Sequence, residues 1–331
     1  MMKINNFDIL RLVLAILVFF AHWNTLTLQG ISNSLFHLSG FAVDMFFIVS
    51  GFLIFWSFDA DQNKKHFYIK RFFRIFPLYA FLVILQTIFF ILHSDGTLGQ
   101  ITKYFVSNIF FLNFLAPSVG STLSSLHVDA INGSFWTLKN EVAFYVLVPL
   151  IFMLYKKWGG YFLVILYSLP VIYMFVVDYL GISKLLVQFP AQLRLFVVGV
   201  MLYVIFDKIN SKNIYPFVLV SLVLVLLFKD SSYFKYTLYP ICIGSFVIYL
   251  VYFVKNIKIN FDFSYSFYIL HFPVIQLALY FGINPTNPVV SFVSLFVVIL
   301  ILSYFSEIYI EKKFVSLGRK IVKKDRLNVR D

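Results

Sequence analysis

The stretch Phe7-Asp8-Ile9-Leu10-Arg11-Leu12-Val13-Leu14-Ala15-Ile16-Leu17-Val18-Phe19-Phe20-Ala21-His22 reads as a membrane-spanning helix carrying three residues that such a helix ordinarily excludes. Polar side chains at membrane depth are costly and need a partner or a task. Successive helical residues turn by about 100°, so from Arg11 to His22 the chain comes within ~20° of three full turns and rises roughly 16 Å. Arg11 and His22 therefore share one face, Arg11 at the cytoplasmic rim and His22 near mid-bilayer. Asp8, three residues before Arg11, is placed either for an i,i+3 ion pair or as the helix N-cap.

The rest of the chain has the same character. Apolar residues make up 61% and charged residues 13%, against about 25% charged in soluble domains. An all-α integral membrane protein follows. With 331 residues and ~20 residues plus a loop per crossing, about ten or eleven spans fit and little extramembrane mass remains. The net charge of +12 would suit nucleic acid only on a basic solvent-facing module, whereas these basic residues flank apolar segments. Cys242, the single cysteine, lies in an apolar run and offers neither a disulfide framework nor a thiolate metal site. The amino terminus lacks a small-residue cleavage site and keeps its charges, so it reads as a retained first helix.

Apolar runs bounded by charge, Gly, Pro or Asn predict ten helices, near 7–29, 37–58, 75–93, 137–155, 159–178, 189–206, 214–228, 235–254, 264–281 and 289–310. Lys and Arg collect on the cytoplasmic side of short loops. With both termini cytoplasmic, inner segments hold twenty basic residues, including Lys3, Lys258 and the tail from Lys312 to Arg330, and outer segments hold five. Making the further apolar run 101–117 a crossing would reverse every later loop. That run is expected to be a re-entrant or interfacial helix within a long outer segment, 94–136, whose Asn108, Asn113, His127 and Asp129 suit a large polar acceptor. The expected organisation is a membrane-embedded domain, 1–311, followed by a basic cytoplasmic tail, 312–331.

Several polar groups interrupt these helices. Asp44 lies in the outer half of the second span, followed at depth by Ser50 and Gly51, where glycine permits close helix approach. Asp44 is either a solvated headgroup-zone acid or a carboxylate that orients His22. Lys70, Arg71 and Arg74 form a basic fork, either a positive-inside cluster against anionic lipid or a site for a phosphate-rich ligand. Trp136 suits an aromatic belt, and Glu141, just inside a span, must be paired, protonated or open to a cavity. Ser264, Tyr268 and His271 share a face at i, i+4 and i+7, where His271 is either a hydrogen-bonded packing residue or part of a site. Arg194 and Glu307 are further intrahelical charges and candidate structural partners. His22, His37, His66, His93, His127 and His271 show no metal-ligand spacing, and no nucleophile elbow, P-loop or dinucleotide fingerprint appears.

Taken in order, five segments resemble the acyltransferase-3 family of integral membrane acyltransferases, which includes O-acetylases of bacterial surface polysaccharides. They are Phe7-Asp8-x-Leu10-Arg11 with His22; Gly40-x-x-Val43-Asp44-x-Phe46-Phe47-x-x-Ser50-Gly51-Phe52-Leu53-Ile54; Lys70-Arg71-x-x-Arg74-x-x-Pro77; Phe135-Trp136-Thr137-Leu138-x-x-Glu141-x-x-Phe144-Tyr145; and Ser264-Tyr265-Ser266-x-Tyr268-x-Leu270-His271-x-Pro273. The chain departs in having Lys139-Asn140 before Glu141, where many members show a second glutamate. It looks like the form without a fused extracellular esterase-like domain.

The resemblance implies that His22 is the general base or acid, that Asp44 and Glu141 are site carboxylates, and that Arg71 and Arg74, beside Lys70, hold the phosphates of acyl-CoA. Asp8, Arg11, Ser50, Trp136, Tyr268 and His271 would support them. It further implies transfer of an acyl group, expected to be acetyl, from cytoplasmic acyl-CoA to a saccharide or lipid-linked glycan, without a metal, in the bacterial inner membrane. The chemistry agrees, because removing a sugar hydroxyl's proton needs a base of pKa near 7, which neutral histidine supplies. The alternative is a transporter or flippase whose intramembrane charges line a path.

Overall fold

The computed structural model describes residues 6–28, 38–257, 259, 261–283 and 287–328. Lys3, His37, Lys258 and Arg330, and positions 29 and 37 at the facing ends of the first two expected spans, lie outside the described residues. The described residues form helices, turns and no strand. The helices are α1 (Phe7–Thr27), α2 (Leu38–Asp59), α3 (Lys64–His93), α4 (Leu98–Ile109), α5 (Phe135–Trp158), α6 (Gly160–Tyr179), α7 (Phe189–Val204), α8 (Ser211–Phe228), α9 (Ser232–Tyr236), α10 (Tyr239–Ile248), α11 (Ser264–Tyr280), α12 (Pro288–Ser306) and α13 (Lys312–Asn328). Among the described residues eight helical stretches are long and apolar enough to cross a membrane. The remaining two expected spans are the shorter Tyr239–Phe253 and Ser264–Tyr280.

Three boundaries differ from expectation, each for a physical reason. The third helix begins at Lys64 instead of 75, so the basic fork rides on its first turns. The expected span began where the apolar run begins, after Arg74, but Lys and Arg are good helix formers, so charge ends an apolar run without ending a helix. The ambiguous run 101–117 breaks into α4, of 12 residues, and a single 3₁₀ turn at Asn113–Leu115. Such a helix reaches about 18 Å, short of the ~30 Å hydrocarbon core. Finally, the basic tail is helical: α12 continues through a π turn at Glu307–Glu311 into α13.

Contacts divide the chain into two compact units. One comprises Met1–Leu14, Gly40–Phe67 and Asn140–Asn260. Within it α2 and α7 touch backbone to backbone, because a Cβ on Gly51 would overlap the Phe196 carbonyl and one on Gly199 would overlap the Ile48 carbonyl. Only glycine allows that approach. Asn6, just ahead of α1, donates from Nδ2 to the carbonyls of Leu250, Val254 and Lys255 at 3.1, 3.3 and 3.2 Å, and its Oδ1 accepts from the Ile257 amide at 2.8 Å. It thereby satisfies carbonyls that the π turn Tyr249–Phe253 leaves at a helix end.

The other unit comprises Ala15–Ser39, Tyr68–Lys139 and Phe261–Asp331. Its segment 94–136 packs on the end of α3 around a shared core of Phe89, Phe90, Tyr104, Ala116, Val119, Leu123 and Ile131. Asn108 is buried there and donates from Nδ2 to the carbonyls of Tyr104 and Ala116, each at 2.9 Å. Its amide therefore shapes the segment. The end of the segment is stitched to α11: Gln276 Nε2 donates to the carbonyls of Val128 and Ala130, both at 2.7 Å.

Candidate active site

Within the second unit α1 and α11 bring two imidazoles together. His22 Nδ1 lies 2.7 Å from His271 Nε2, with the rings 5.0 Å apart and inclined by 23°. His271 is fully buried, and its Nδ1 lies 3.0 Å from the Phe267 carbonyl one turn back. A carbonyl only accepts, so His271 Nδ1 carries a proton and donates it. In the neutral ring Nε2 is then the acceptor, and His22 Nδ1 must donate to it. The lone pair of His22 is thereby assigned to Nε2, the nitrogen turned away from the dyad. His22 is partly exposed, so the pair has a buried anchor and an accessible base.

The anchor is held by packing and by a proline. Phe19 stands edge-on to His271 at 6.2 Å and to Phe267 at 5.9 Å, and Phe292 and Phe296 adjoin Phe19 at 5.3 and 5.4 Å. Pro273 has no N–H for the Ile269 carbonyl, and Asn132 Nδ2 fills the vacancy at 3.0 Å. The next residue, Gly133, lies against the Phe272 ring; a Cβ there would stand 2.5 Å from Phe272 Cε2. Phe272 in turn meets His22 edge-on at 4.9 Å. One turn below His271, the Tyr268 hydroxyl lies 2.8 Å from Thr137 Oγ1, which itself donates to the Ser134 carbonyl at 3.0 Å. Tyr268 is therefore the donor of that pair. The segment 94–136 thus reaches His22 through Asn132 and Gly133 by way of Phe272, while Thr137, a residue of the quoted Phe135-Trp136-Thr137 motif, holds Tyr268.

The remaining expected residues fall as follows. In the same unit, Lys70 and Arg71 are partly exposed on the first turns of α3, and Arg74 Nη2 donates to Asp262 Oδ2 at 2.8 Å. Trp136 is partly exposed on the first turn of α5. In the first unit, Asp44 faces the buried Arg194 guanidinium and accepts a hydrogen bond from the Tyr239 hydroxyl. Arg194 also donates to the Ala191 carbonyl at 2.7 Å. Asp44 precedes Gly51 by seven residues and Arg194 precedes Gly199 by five, so the glycine crossing of α2 and α7 sets their common level. Glu141 Oε1 accepts from the Tyr145 hydroxyl at 2.5 Å. Asp8 is exposed in the first turn of α1, and Arg11 and Ser50 are partly exposed. Among the described residues no group of three His, Cys, Asp or Glu could hold a metal ion. The position on His22 Nδ1 that the sequence offered to a carboxylate is filled by His271. No spacing rule links residues so far apart in the chain; the i+7 face of α11 was the one available signal.

Compared with known proteins, the chain matches the family described as an acyltransferase domain over residues 4–307. An O-acetyl transferase of Shigella phage Sf6 is 30% identical over 342 residues, covering 96% of this chain and 97% of the phage protein. Nodulation protein 10 of Rhizobium leguminosarum bv. viciae is 29% identical over 171 residues, 46% of either chain. Peptidoglycan O-acetyltransferase OatA of Listeria monocytogenes is 25% identical over 125 residues, 35% of this chain and 20% of that protein. The similarity thus spans nearly all of the phage protein and less than half of the other two. No solved structure matches the chain.

Proposed function

The chain belongs to the acyltransferase family, and on that premise we propose that it moves an acetyl group from cytoplasmic acyl-CoA to a hydroxyl of a cell-envelope saccharide, with His22 as general base. The observation that carries this reading is the relay from the Phe267 carbonyl through His271 to His22, which leaves a lone pair on the accessible imidazole. The names of the phage and Listeria relatives support acetyl as the group and a polysaccharide as the acceptor.

In the reaction the acceptor oxygen attacks the thioester carbonyl while His22 Nε2 takes its proton. The C–S bond then breaks, and the proton passes from His22 to the departing thiolate, giving the ester and free CoA. During the attack His22 becomes an imidazolium, and its Nδ1–H bond to His271 Nε2 keeps the ring oriented and strengthens as the donor becomes charged. Arg74, whose guanidinium Asp262 orients, would bind the donor's phosphates with Arg71 and Lys70.

The test is acetyl transfer by purified protein. His22→Ala is expected to lower the rate by about 10²–10⁴-fold, the usual contribution of a positioned base. An undiminished rate in that variant removes His22 from catalysis. Movement of a glycolipid across the membrane without any acyl donor would show a transporter instead.

A further inference from the structure

Arg194 lies inside a stretch long and apolar enough to cross a membrane, Ser183–Val204, and is only 3% exposed. A charge in that position needs a partner or a task. Its Nη1 donates at 2.7 Å to the carbonyl of Ala191, three residues back on its own helix, and its Nε is buried without a hydrogen-bond partner. Asp44 acts on the guanidinium electrostatically. Among the described residues no hydrogen bond joins the two, so the guanidinium is only partly satisfied.

Four further helices of the first unit supply its polar surroundings. Asp44 comes from α2, Tyr167 from α6, Tyr236 from the end of α9 and Tyr239 from the start of α10, and each acts electrostatically on Arg194. The protons of two tyrosines are already committed: Tyr239 donates to Asp44, and Tyr167 donates to the Thr237 carbonyl. The unspent donors of the cluster are therefore those of the guanidinium edge that includes Nε, and what this edge lacks is an acceptor. Asp44 is partly exposed while Arg194 is buried, so the cluster is open on its acidic side.

We propose that Arg194 anchors a binding site for the phosphate of a membrane lipid, built by α2, α6, α7 and α10 within the first unit. The inference goes beyond the function proposed above and is read without any acyl donor. The Nε edge of a guanidinium presents two parallel N–H groups, the arrangement that binds phosphate oxygens bidentately. A free anion must give up its water to reach a group inside an apolar span. A lipid instead carries its phosphate at the boundary of the hydrocarbon core, with its chains against apolar surface. Leu238 and Ile241, on either side of Tyr239, expose apolar side chains of that kind. Asp44 opposes the incoming charge, which limits affinity and fixes the sign of the test. A glycerophospholipid and a polyprenyl phosphate share this chemistry, and the experiment separates them.

The full chain in detergent is titrated, with binding read by native mass spectrometry, against phosphatidylglycerol, undecaprenyl phosphate, phosphate-free diacylglycerol and inorganic phosphate. One phosphate-bearing lipid is expected to bind as a single equivalent and tighter than diacylglycerol or inorganic phosphate; the tighter of the two lipids names the source. Arg194→Gln should weaken that binding about tenfold or more, the worth of a charge-assisted hydrogen bond. Asp44→Asn should tighten it, because the competing carboxylate is gone. If Arg194 serves only to balance Asp44, both variants lower Tm and neither changes lipid affinity, and the site is overturned. Inorganic phosphate binding as tightly as either lipid overturns the lipid assignment. Should Arg194→Gln fail to fold, the charge-balanced double variant Asp44→Asn, Arg194→Gln replaces it, and a lipid affinity equal to that of Asp44→Asn alone overturns the proposal. A loss of affinity in Asp44→Asn, or no gain, overturns it as well.

Discussion

His22 owes its chemical character to a neighbour 249 residues away in sequence. An isolated imidazole interconverts between two tautomers, whereas the chain of acceptors from Phe267 through His271 selects the one with its lone pair on Nε2. A prediction follows for the anchor. His271→Ala should lower the transfer rate by about 10²-fold or more while leaving acyl-CoA KM unchanged, because it removes the acceptor that orients His22. His271→Gln should restore part of the rate, since its amide oxygen can accept from His22 Nδ1. Equal rates for the two variants would limit His271 to packing. Both are measured as kcat and KM with stability followed in parallel.

Helix α11 is the element on which the site is built. Its proline frees a carbonyl, Asn132 takes it, and Gly133 then rests on the ring that touches His22. Gly133→Ala should force Phe272 aside at a cost of about 1–3 kcal/mol for overpacking, seen as a lower Tm together with reduced transfer. A normal Tm and rate would show that the ring moves freely. The outer segment has its own pH response. The amide and hydroxyl of Ser121 donate to Asp95 and hold its carboxyl below the ordinary 3.8. The ionised form is thus favoured in the fold, and its contribution is present above the ordinary value and lost as pH falls through the depressed one. Protection of the Ser121 amide, measured against its intrinsic exchange rate, should fall on acidification through that window, and in Asp95→Asn the pH-dependent step should disappear.

Across the whole molecule, the candidate residues divide between the two compact units. His22, His271 and the basic fork belong to one, and Asp44, Arg194 and Glu141 to the other. The expectation, from the charge bias, that the fork faces the cytoplasm can be tested directly. In a Cys242→Ser background, Lys103→Cys should react with an impermeant maleimide in intact spheroplasts, and Lys323→Cys only after permeabilisation. The opposite pattern would invert the topology and move the proposed donor site to the other face.

Composition, apolar run length and motif order were enough to establish a helical membrane protein and its family, because apolar length and local spacing are properties of contiguous residues. Arg11 and His22 were conspicuous for the same reason: a polar residue within an apolar run stands out in one dimension. Partnership was not legible. Asp44 and Arg194 act on one another electrostatically, Arg74 pairs with Asp262, and His22 meets His271, each pair separated by well over a hundred residues. The helicity of α13 was hidden by its lysines, although Phe314, Gly318 and Val322 follow a helical spacing. Local rules state which groups in a membrane helix need a partner; packing alone decides which partner arrives, since desolvated polar groups are satisfied by whatever the tertiary fold brings within hydrogen-bonding distance.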